Sequence, residues 1–239
     1  MAKKVSPFRQ YLNSSKSLHY SIVLTLPAVA IYELGVFFLF HDSFFELRNS
    51  GEILVRSLFE TLHLQDPLLV SALLGLVFIV VMVRGYRIEK KPGIHANYVV
   101  YMLLESMLWG SVIYIGLQLF THIPLQVFTM EEKLSNINLA IGAGVFEELI
   151  FRLVIISALL VILERGFIIQ SRLAVPIAIL ISAVVFAAFH LLMEPYSHPI
   201  FAQRVIGGIF LGTLYHVRGY GISVYAHIIY NFLVLADSW

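Results

Sequence analysis

The sequence contains no cysteine, which excludes disulfide bonds, cysteine-based zinc sites and a thiol nucleophile. Charged residues are also scarce, at 13% of the 239 positions, whereas 59% are hydrophobic and the mean hydropathy is +0.85. A soluble core cannot hold that much apolar surface, but lipid can. No glycine-rich phosphate loop, internal repeat or nucleic-acid-binding pattern is present, so we expect no nucleic-acid partner. These features predict an all-α, polytopic transmembrane helical bundle that forms one membrane-embedded domain over residues 1–239.

Seven apolar stretches are long enough to be predicted as membrane spans. They cover residues 18–40, 67–83, 97–120, 137–163, 173–193, 201–215 and 222–236. Between the first two, the segment 44–63 places apolar side chains at helical spacing among charged ones. This pattern predicts an amphipathic helix at the membrane surface, or an eighth span if the helix crosses. Residues 1–120 therefore hold the N-terminal spans together with this amphipathic helix.

Lysine and arginine are distributed unevenly between alternate loops. Eleven lie in the N-terminal segment and in the loops after predicted spans two, four and six, whereas the other loops contain three. Because cytoplasmic loops carry the excess of positive charge, the N-terminus is predicted to be cytoplasmic. Span four then enters from the non-cytoplasmic side, which places Glu147 about 15 Å below that surface. We therefore expect a site in the non-cytoplasmic half of the bilayer.

Three charged side chains, Glu147, Glu148 and Arg152, interrupt the fourth apolar stretch. Each costs roughly 2.5–3.5 kcal/mol at the centre of a bilayer, so their presence together predicts a functional site. At about 100° per residue, Glu148 and Arg152 share one helix face and should pair, whereas Glu147 points about 100° away from Glu148. We therefore expect Arg152 to neutralise Glu148 and orient the helix, and we assign the chemistry to Glu147. A purely structural ion cluster is the alternative.

Two later apolar stretches also carry polar side chains at helical spacing. Phe186 and His190 lie four residues apart on predicted span five, and His227 and Asn231 lie four apart on span seven. With Glu147 they supply what water-mediated peptide hydrolysis requires. The carboxylate would take a proton from water, and His190 would orient that water or protonate the leaving amine. His227 and Asn231 would donate hydrogen bonds to the developing oxyanion.

These residues, in their order along the chain, resemble the motifs of the CPBP family of intramembrane proteases, also called the CAAX protease and bacteriocin-processing, or Abi, family. The motifs are Glu147-Glu148-xxx-Arg152, Phe186-xxx-His190 and His227-xxx-Asn231. The segment 207–215 also resembles the glycine-rich helix that this family places before its last motif. The resemblance covers about residues 137–236, which makes this range the predicted catalytic core.

The resemblance implies a glutamic-type endopeptidase in a bacterial or archaeal cell membrane. In that family the first glutamate and the histidine of the second motif are taken to activate water, and the last histidine and asparagine to form the oxyanion hole. Carried onto this sequence, the catalytic residues are Glu147, His190, His227 and Asn231. The orienting residues of the site are Glu148, Arg152 and Phe186. The expected partner is a membrane-anchored or lipid-modified protein or peptide substrate, within the lipid bilayer.

Three alternatives remain at this stage. Two glutamates and two histidines could bind zinc, but there is no His-Glu-x-x-His helix, and metal binding would occupy both histidines, so we expect no metal or other cofactor. A non-catalytic member could act as a membrane scaffold or bacteriocin-immunity protein. A proton-coupled transporter could also use buried glutamate and histidine, although neither an inverted repeat nor a pair of interrupted helices is evident.

Overall fold

The computed structural model describes residues 6–39, 50–60, 93–119, 130–192 and 195–237. All regular secondary structure in these ranges is helical, which confirms the all-α class for this part of the chain. The predicted second span, 67–83, lies outside the described residues. In chain order the helices are α1 (Pro7–Ser15), α2 (Leu18–Leu39), α3 (Ser50–Glu60), α4 (Ala96–Gln118), α5 (Met130–Glu147), π1 (Glu148–Ile156), α6 (Ser157–Val161), π2 (Ile162–Gly166), α7 (Ser171–Phe189), a 3₁₀ turn (His190–Leu192), α8 (His198–Arg218) and α9 (Tyr220–Asp237).

Four helices of the described chain are long and apolar enough to cross a membrane. Their spanning segments are Leu18–Phe38, Ala96–Gln118, Ser171–Leu192 and His198–Arg218. They fall on predicted spans one, three, five and six, and with the composition they identify an integral membrane protein. Predicted spans four and seven fall on the continuous helical run from α5 to π2 and on α9.

The helix α9 lies at the centre of the described bundle, where it packs against α2, α4, α5, π1 and α8. Glycines on two of these neighbours allow the close approach. A Cβ on Gly144 of α5 would overlap the Ile228 side chain, and a Cβ on Gly110 of α4 would lie 2.8 Å from the carbonyl oxygen of Ala226. Small residues are the usual means by which membrane helices come this close. They bring α9 directly against the helix that carries the two glutamates.

The helices α7 and α8 form a second close pair. A Cβ on Gly208 of α8 would lie 2.9 Å from the Cβ of Ala183 on α7. One turn later, a Cβ on Gly212 would lie 3.0 Å from the Ile179 side chain. This contact fixes α7, whose C-terminal end carries Phe186 and His190, against the rest of the bundle.

The helix α3 lies within the predicted amphipathic segment, but it buries a charge. Glu52 is fully buried, accepts a 2.6 Å hydrogen bond from the Tyr32 hydroxyl and pairs with Arg56 one turn later, whereas Ile53 is 41% exposed. An amphipathic surface helix would instead be expected to turn its carboxylate toward water. The inward orientation is possible because Tyr32 and Arg56 supply the donors that a buried carboxylate requires.

A separate ionic cluster attaches α1 to the bundle. Glu105 of α4 accepts two hydrogen bonds from Arg218, at 2.5 and 2.9 Å, and one from the Tyr11 hydroxyl at 2.6 Å. Arg218 also donates to the Ser15 hydroxyl at 2.9 Å. Burial, followed by the bonded Glu105 carboxylate, raises the pKa of Tyr11 above its ordinary value. Glu105, which the sequence marks as a charge in an apolar stretch, therefore belongs to an anchoring network.

The turn between α8 and α9 requires glycine. Gly219 has a φ of +89°, a backbone conformation that side chains disfavour, and its N–H donates to the carbonyl of Tyr215. A Cβ here would lie 2.9 Å from the carbonyl oxygen of Lys16, which follows α1. The start of α9 is thus fixed between the end of α8 and the end of α1.

Candidate active site

The two glutamates lie where the helix changes its hydrogen-bonding pattern. The α-helical part ends at Glu147, and the π-helical part begins at Glu148. The backbone stays helical through the change, since Glu147 has a φ of −69° and a ψ of −41°. π-helical turns are rare and frequently occur at functional sites. The local geometry therefore differs from the ideal α-helix used to predict which side chains share a face.

Hydroxyl groups from neighbouring helices hold this segment on both sides. Tyr220 of α9 donates a 3.0 Å hydrogen bond to the carbonyl of Val145. Ser182 of α7 donates a 2.6 Å hydrogen bond to the carbonyl of Phe151. In a membrane, carbonyls that deviate from regular helical pairing need such partners. The two bonds thus support the glutamate segment from two different helices.

Glu148 is the most completely coordinated side chain of the site. It is fully buried, accepts a hydrogen bond from the Ser223 hydroxyl at 2.5 Å, lies 3.0 Å from Nδ1 of His227, and has an ion pair with Arg152 at 3.3 Å. Hydrogen bonds and an opposite charge of this kind stabilise an ionised carboxylate in a low-dielectric environment. Glu148 and Arg152 are therefore close together, as the four-residue spacing predicts.

Arg152 is buried to the same degree, at 1% exposure. Its guanidinium carbon lies 4.7 Å from the centroid of the Phe186 ring, a cation–π arrangement. Within the part of the chain that the structure describes, none of its three guanidinium nitrogens has an acceptor at hydrogen-bonding geometry. Its contact with Glu148 is therefore mainly electrostatic.

His227 lies between the two carboxylates. Its Nδ1 atom is 3.0 Å from Oε1 of Glu148, and its Nε2 atom is 3.9 Å from Oε2 of Glu147. Glu147 is 4% exposed, so both contacts are buried. The two glutamate side chains point in different directions, and each lies next to a different nitrogen of the His227 ring.

His190 approaches the site through Phe186. It follows the last residue of α7, its Nδ1 lies 2.9 Å from the Phe186 carbonyl, and its ring centroid is 4.8 Å from that of Phe186. The Phe186 ring also contacts His227, with centroids 6.3 Å apart. The half-buried His190 and the buried His227 therefore share Phe186 as a neighbour. The joint action of His190 and Glu147 on one water molecule stays a prediction.

Asn231 lies one turn beyond His227 on α9 and also faces α5. Its side-chain amide donates a 3.4 Å hydrogen bond to the carbonyl of Ala140. An amide has two N–H groups, so this bond orients the side chain while using one of them.

Comparison with known proteins gives one result for this region. Residues 131–233 match the family model described as type II CAAX prenyl endopeptidase Rce1-like. This segment is Rce1-like. The match confirms the resemblance to the CPBP/CAAX protease family, and it includes all seven motif residues. No curated protein and no solved structure matches the chain.

The Rce1-like segment runs from α5 into α9, close to the predicted core of 137–236. It contains a site residue that the sequence reasoning missed, the buried Ser223. Its spacing was a usable signal, because Ser223, His227 and Asn231 follow one another at intervals of four residues on one helix face. A lone serine in an apolar helix has many structural explanations, so the spacing gains meaning only beside Glu148.

The donor set of the Rce1-like segment bears on the zinc alternative. Within the described residues, no group of three or more histidine, aspartate or glutamate side chains, the group of Glu147, Glu148 and His227 included, has an arrangement that could hold a metal ion. The carboxylate of Glu148 is already bonded to Ser223 and His227 and faces Arg152. A cation at this carboxylate would have to compete with the adjacent guanidinium.

Proposed function

We propose that this protein is an intramembrane endopeptidase that hydrolyses a peptide bond in a membrane-anchored or lipid-modified protein or peptide. The observation that carries the proposal is the placement of Glu147 and Glu148 against opposite nitrogens of the buried His227. The family match supports it, because the matched family is one of CAAX prenyl endopeptidases. The bundle of apolar helices supports a substrate that reaches the site within or beside the membrane.

In the proposed reaction, Glu147 takes a proton from water that His190 helps to orient, and the resulting hydroxide attacks the carbonyl carbon of the scissile bond. His227 and Asn231 stabilise the oxyanion of the tetrahedral intermediate. The carbon–nitrogen bond then breaks, and the leaving amine receives the proton. The site is buried among apolar helices, so electrostatic stabilisation is stronger there than in water. Phe186 contacts the rings of both histidines and so packs beside the two groups of this reaction.

Arg152 and Glu148 have an orienting role in this proposal. Arg152 balances one of the two carboxylate charges, which lowers the cost of burying both glutamates. Glu148 contacts both His227 and Arg152, and it therefore links the orientation of the glutamate helix to that of α9. In this proposal Glu147 reacts with water, and Glu148 holds His227 and the glutamate helix in position.

The mechanism is proposed to need no metal. Purified protein should retain its activity after prolonged chelation, because water activation is assigned to Glu147 and His190. Loss of activity on chelation and its recovery with added zinc would overturn this part of the proposal. The addition of zinc without prior chelation serves as the control for direct inhibition by the metal.

We further propose a seven-span topology with the N-terminus in the cytoplasm and the site toward the non-cytoplasmic half. The absence of native cysteine makes this directly testable, since an introduced cysteine is the only thiol. Single cysteines between residues 121 and 136 should react with an impermeant reagent added outside intact cells. A cysteine introduced near Gln170, between π2 and α7, should react only after the cells are opened. The reverse labelling pattern would show that the topology is opposite to the proposed one.

The decisive experiment for the function compares Glu147→Gln and His190→Ala with the unchanged protein in the native host. Membrane proteomics should reveal one or more uncleaved precursors that accumulate in both variants. Tyr196→Phe is a suitable control, because it removes an exposed hydroxyl at the same end of α7 as His190. Wild-type processing in both site variants would refute the endopeptidase and favour a non-catalytic scaffold.

A further inference from the structure

Ser223 makes a contact that none of the proposed roles includes. Its side chain is fully buried, and its hydroxyl lies 2.5 Å from Oε2 of Glu148 and 3.2 Å from the carbonyl oxygen of Leu211. A hydroxyl has one proton to donate. The carboxylate receives it, because that contact is the shorter one and a charged acceptor makes the stronger hydrogen bond. Ser223 therefore holds one oxygen of Glu148.

The other oxygen of Glu148 faces two further groups. His227 Nδ1 lies 3.0 Å from Oε1, and the Arg152 guanidinium lies 3.3 Å from the same atom. With a cation beside it and a hydroxyl on its second oxygen, Glu148 is ionised, and an ionised carboxylate can only accept hydrogen bonds. Nδ1 of His227 must therefore carry a proton and donate it.

We propose that Ser223 and Glu148 are positioning residues that hold His227 in the tautomer protonated at Nδ1. The carboxylate fixes the tautomer and the ring orientation, as carboxylate partners of histidine do elsewhere. Ser223 in turn fixes the carboxylate. The catalytic consequence rests on the proposed peptidase function, whereas the tautomer itself does not.

The tautomer determines what Nε2 can do. In the neutral ring, a proton on Nδ1 leaves Nε2 as an acceptor, and this atom faces Glu147 at 3.9 Å. Hydrogen-bond donation from Nε2 to an oxyanion requires a ring that has gained a second proton, so the oxyanion role proposed for His227 belongs to its doubly protonated form. Among the described residues, the charged and titratable groups near the ring include Glu147 and Glu148, with Arg152 paired to Glu148, and Tyr230 from α9 itself, while His190 shares the neighbour Phe186.

Substitution of Ser223 can be compared with a closely matched control. Ser106 of α4 is also fully buried, and its hydroxyl lies 3.3 Å from the carbonyl of Ile222, the residue before Ser223. Ser223→Ala and Ser106→Ala each remove one buried hydroxyl next to the same turn of α9. Only the first removes a donor from Glu148. A purely structural effect should appear in both variants.

The direct test is nitrogen NMR of protein labelled with ¹⁵N-histidine in detergent micelles, with the His227 signals assigned by their loss in His227→Gln. The unchanged protein and Ser106→Ala should show a protonated Nδ1 and an unprotonated Nε2 in the neutral ring. Ser223→Ala should show a mixture of the two tautomers. An Nε2-protonated ring in the unchanged protein would overturn the inference, and this measurement needs no variant of Ser223. An unaltered tautomer in folded Ser223→Ala would overturn the role of the serine.

Kinetics provide the second readout. Ser223→Ala should lower kcat by about tenfold with KM unchanged, since it removes one hydrogen bond to a charged group that does not touch the substrate. Ser106→Ala should stay near the unchanged protein in both constants. Equal kcat values in all three proteins would contradict a positioning role. If Glu147→Gln retains full cleavage, the proposed function fails instead, and the NMR result still decides the tautomer.

Discussion

Replacement of Arg152 by methionine should destabilise the protein before it alters the chemistry. The side chain is 1% exposed, and its partner Glu148 is fully buried. Methionine keeps a long apolar side chain but leaves Glu148 without its counter-charge. Removal of one partner of a buried ion pair typically costs about 3–5 kcal/mol. Two hydrogen bonds to Glu148, from Ser223 and His227, survive the change and favour the lower end of that range.

The cation–π contact between Arg152 and Phe186 adds to the loss. Such a desolvated contact is worth up to about 2 kcal/mol, so the total for Arg152→Met is roughly 3–5 kcal/mol. For a chain of this length, each kcal/mol lowers the melting temperature by about 2–4 °C. The melting temperature of the purified protein in detergent should therefore fall by roughly 6–20 °C. Arg152→Lys keeps the positive charge and should show a clearly smaller decrease.

A double variant tests whether the loss comes from this pair. Glu148→Gln combined with Arg152→Met removes both charges, so it should cost less than the sum of the single changes. Additive costs would show that the two side chains act independently. An unchanged melting temperature for Arg152→Met, accompanied by complete loss of cleavage, would refute the structural role and place the guanidinium in the reaction.

Three further variants test other parts of the structure. Glu147→Gln should lower kcat by about 10²–10⁴-fold, the usual contribution of a general base, while the melting temperature stays close to that of the unchanged protein. Arg218→Met should release α1 from the bundle, so hydrogen exchange should rise in α1 far more than in α7. Gly144→Ala should push α9 away from the glutamate helix and lower both stability and activity, because its Cβ would overlap a side chain. The control Gly116→Ala, whose Cβ would have open space, should be neutral or stabilising by up to about 1 kcal/mol, and thermal unfolding would distinguish the two.

The membrane class and the grouping of the motif residues could be predicted because both depend on local sequence. An apolar stretch of sufficient length has few options other than a membrane helix, and charges within such stretches need partners. The three motifs therefore identified residues that the fold brings to one region around His227 and Phe186. Their roles in catalysis stay predictions, since proximity alone does not assign them.

Other features could not be predicted because they depend on contacts between distant segments. Glu52 faces inward, where Tyr32, twenty residues earlier, donates to it together with Arg56. Glu105 joins an anchoring cluster because Arg218, more than one hundred residues later, arrives at the same place. Helical periodicity describes one helix at a time, so it cannot show that a charge will be paired by another helix.

The change from α- to π-helical turns falls between Glu147 and Glu148. These two adjacent glutamates both lie next to one histidine, His227. Neighbouring residues of a helix diverge, so their carboxylates cannot easily meet the same atom. An imidazole resolves this difficulty, because its two nitrogens offer separate contacts to Glu148 and Glu147. The hydroxyls of Tyr220 and Ser182 hold the surrounding carbonyls in place from two other helices. The proposed division between a supporting and a reacting glutamate therefore depends on how His227 is held as much as on the glutamates themselves.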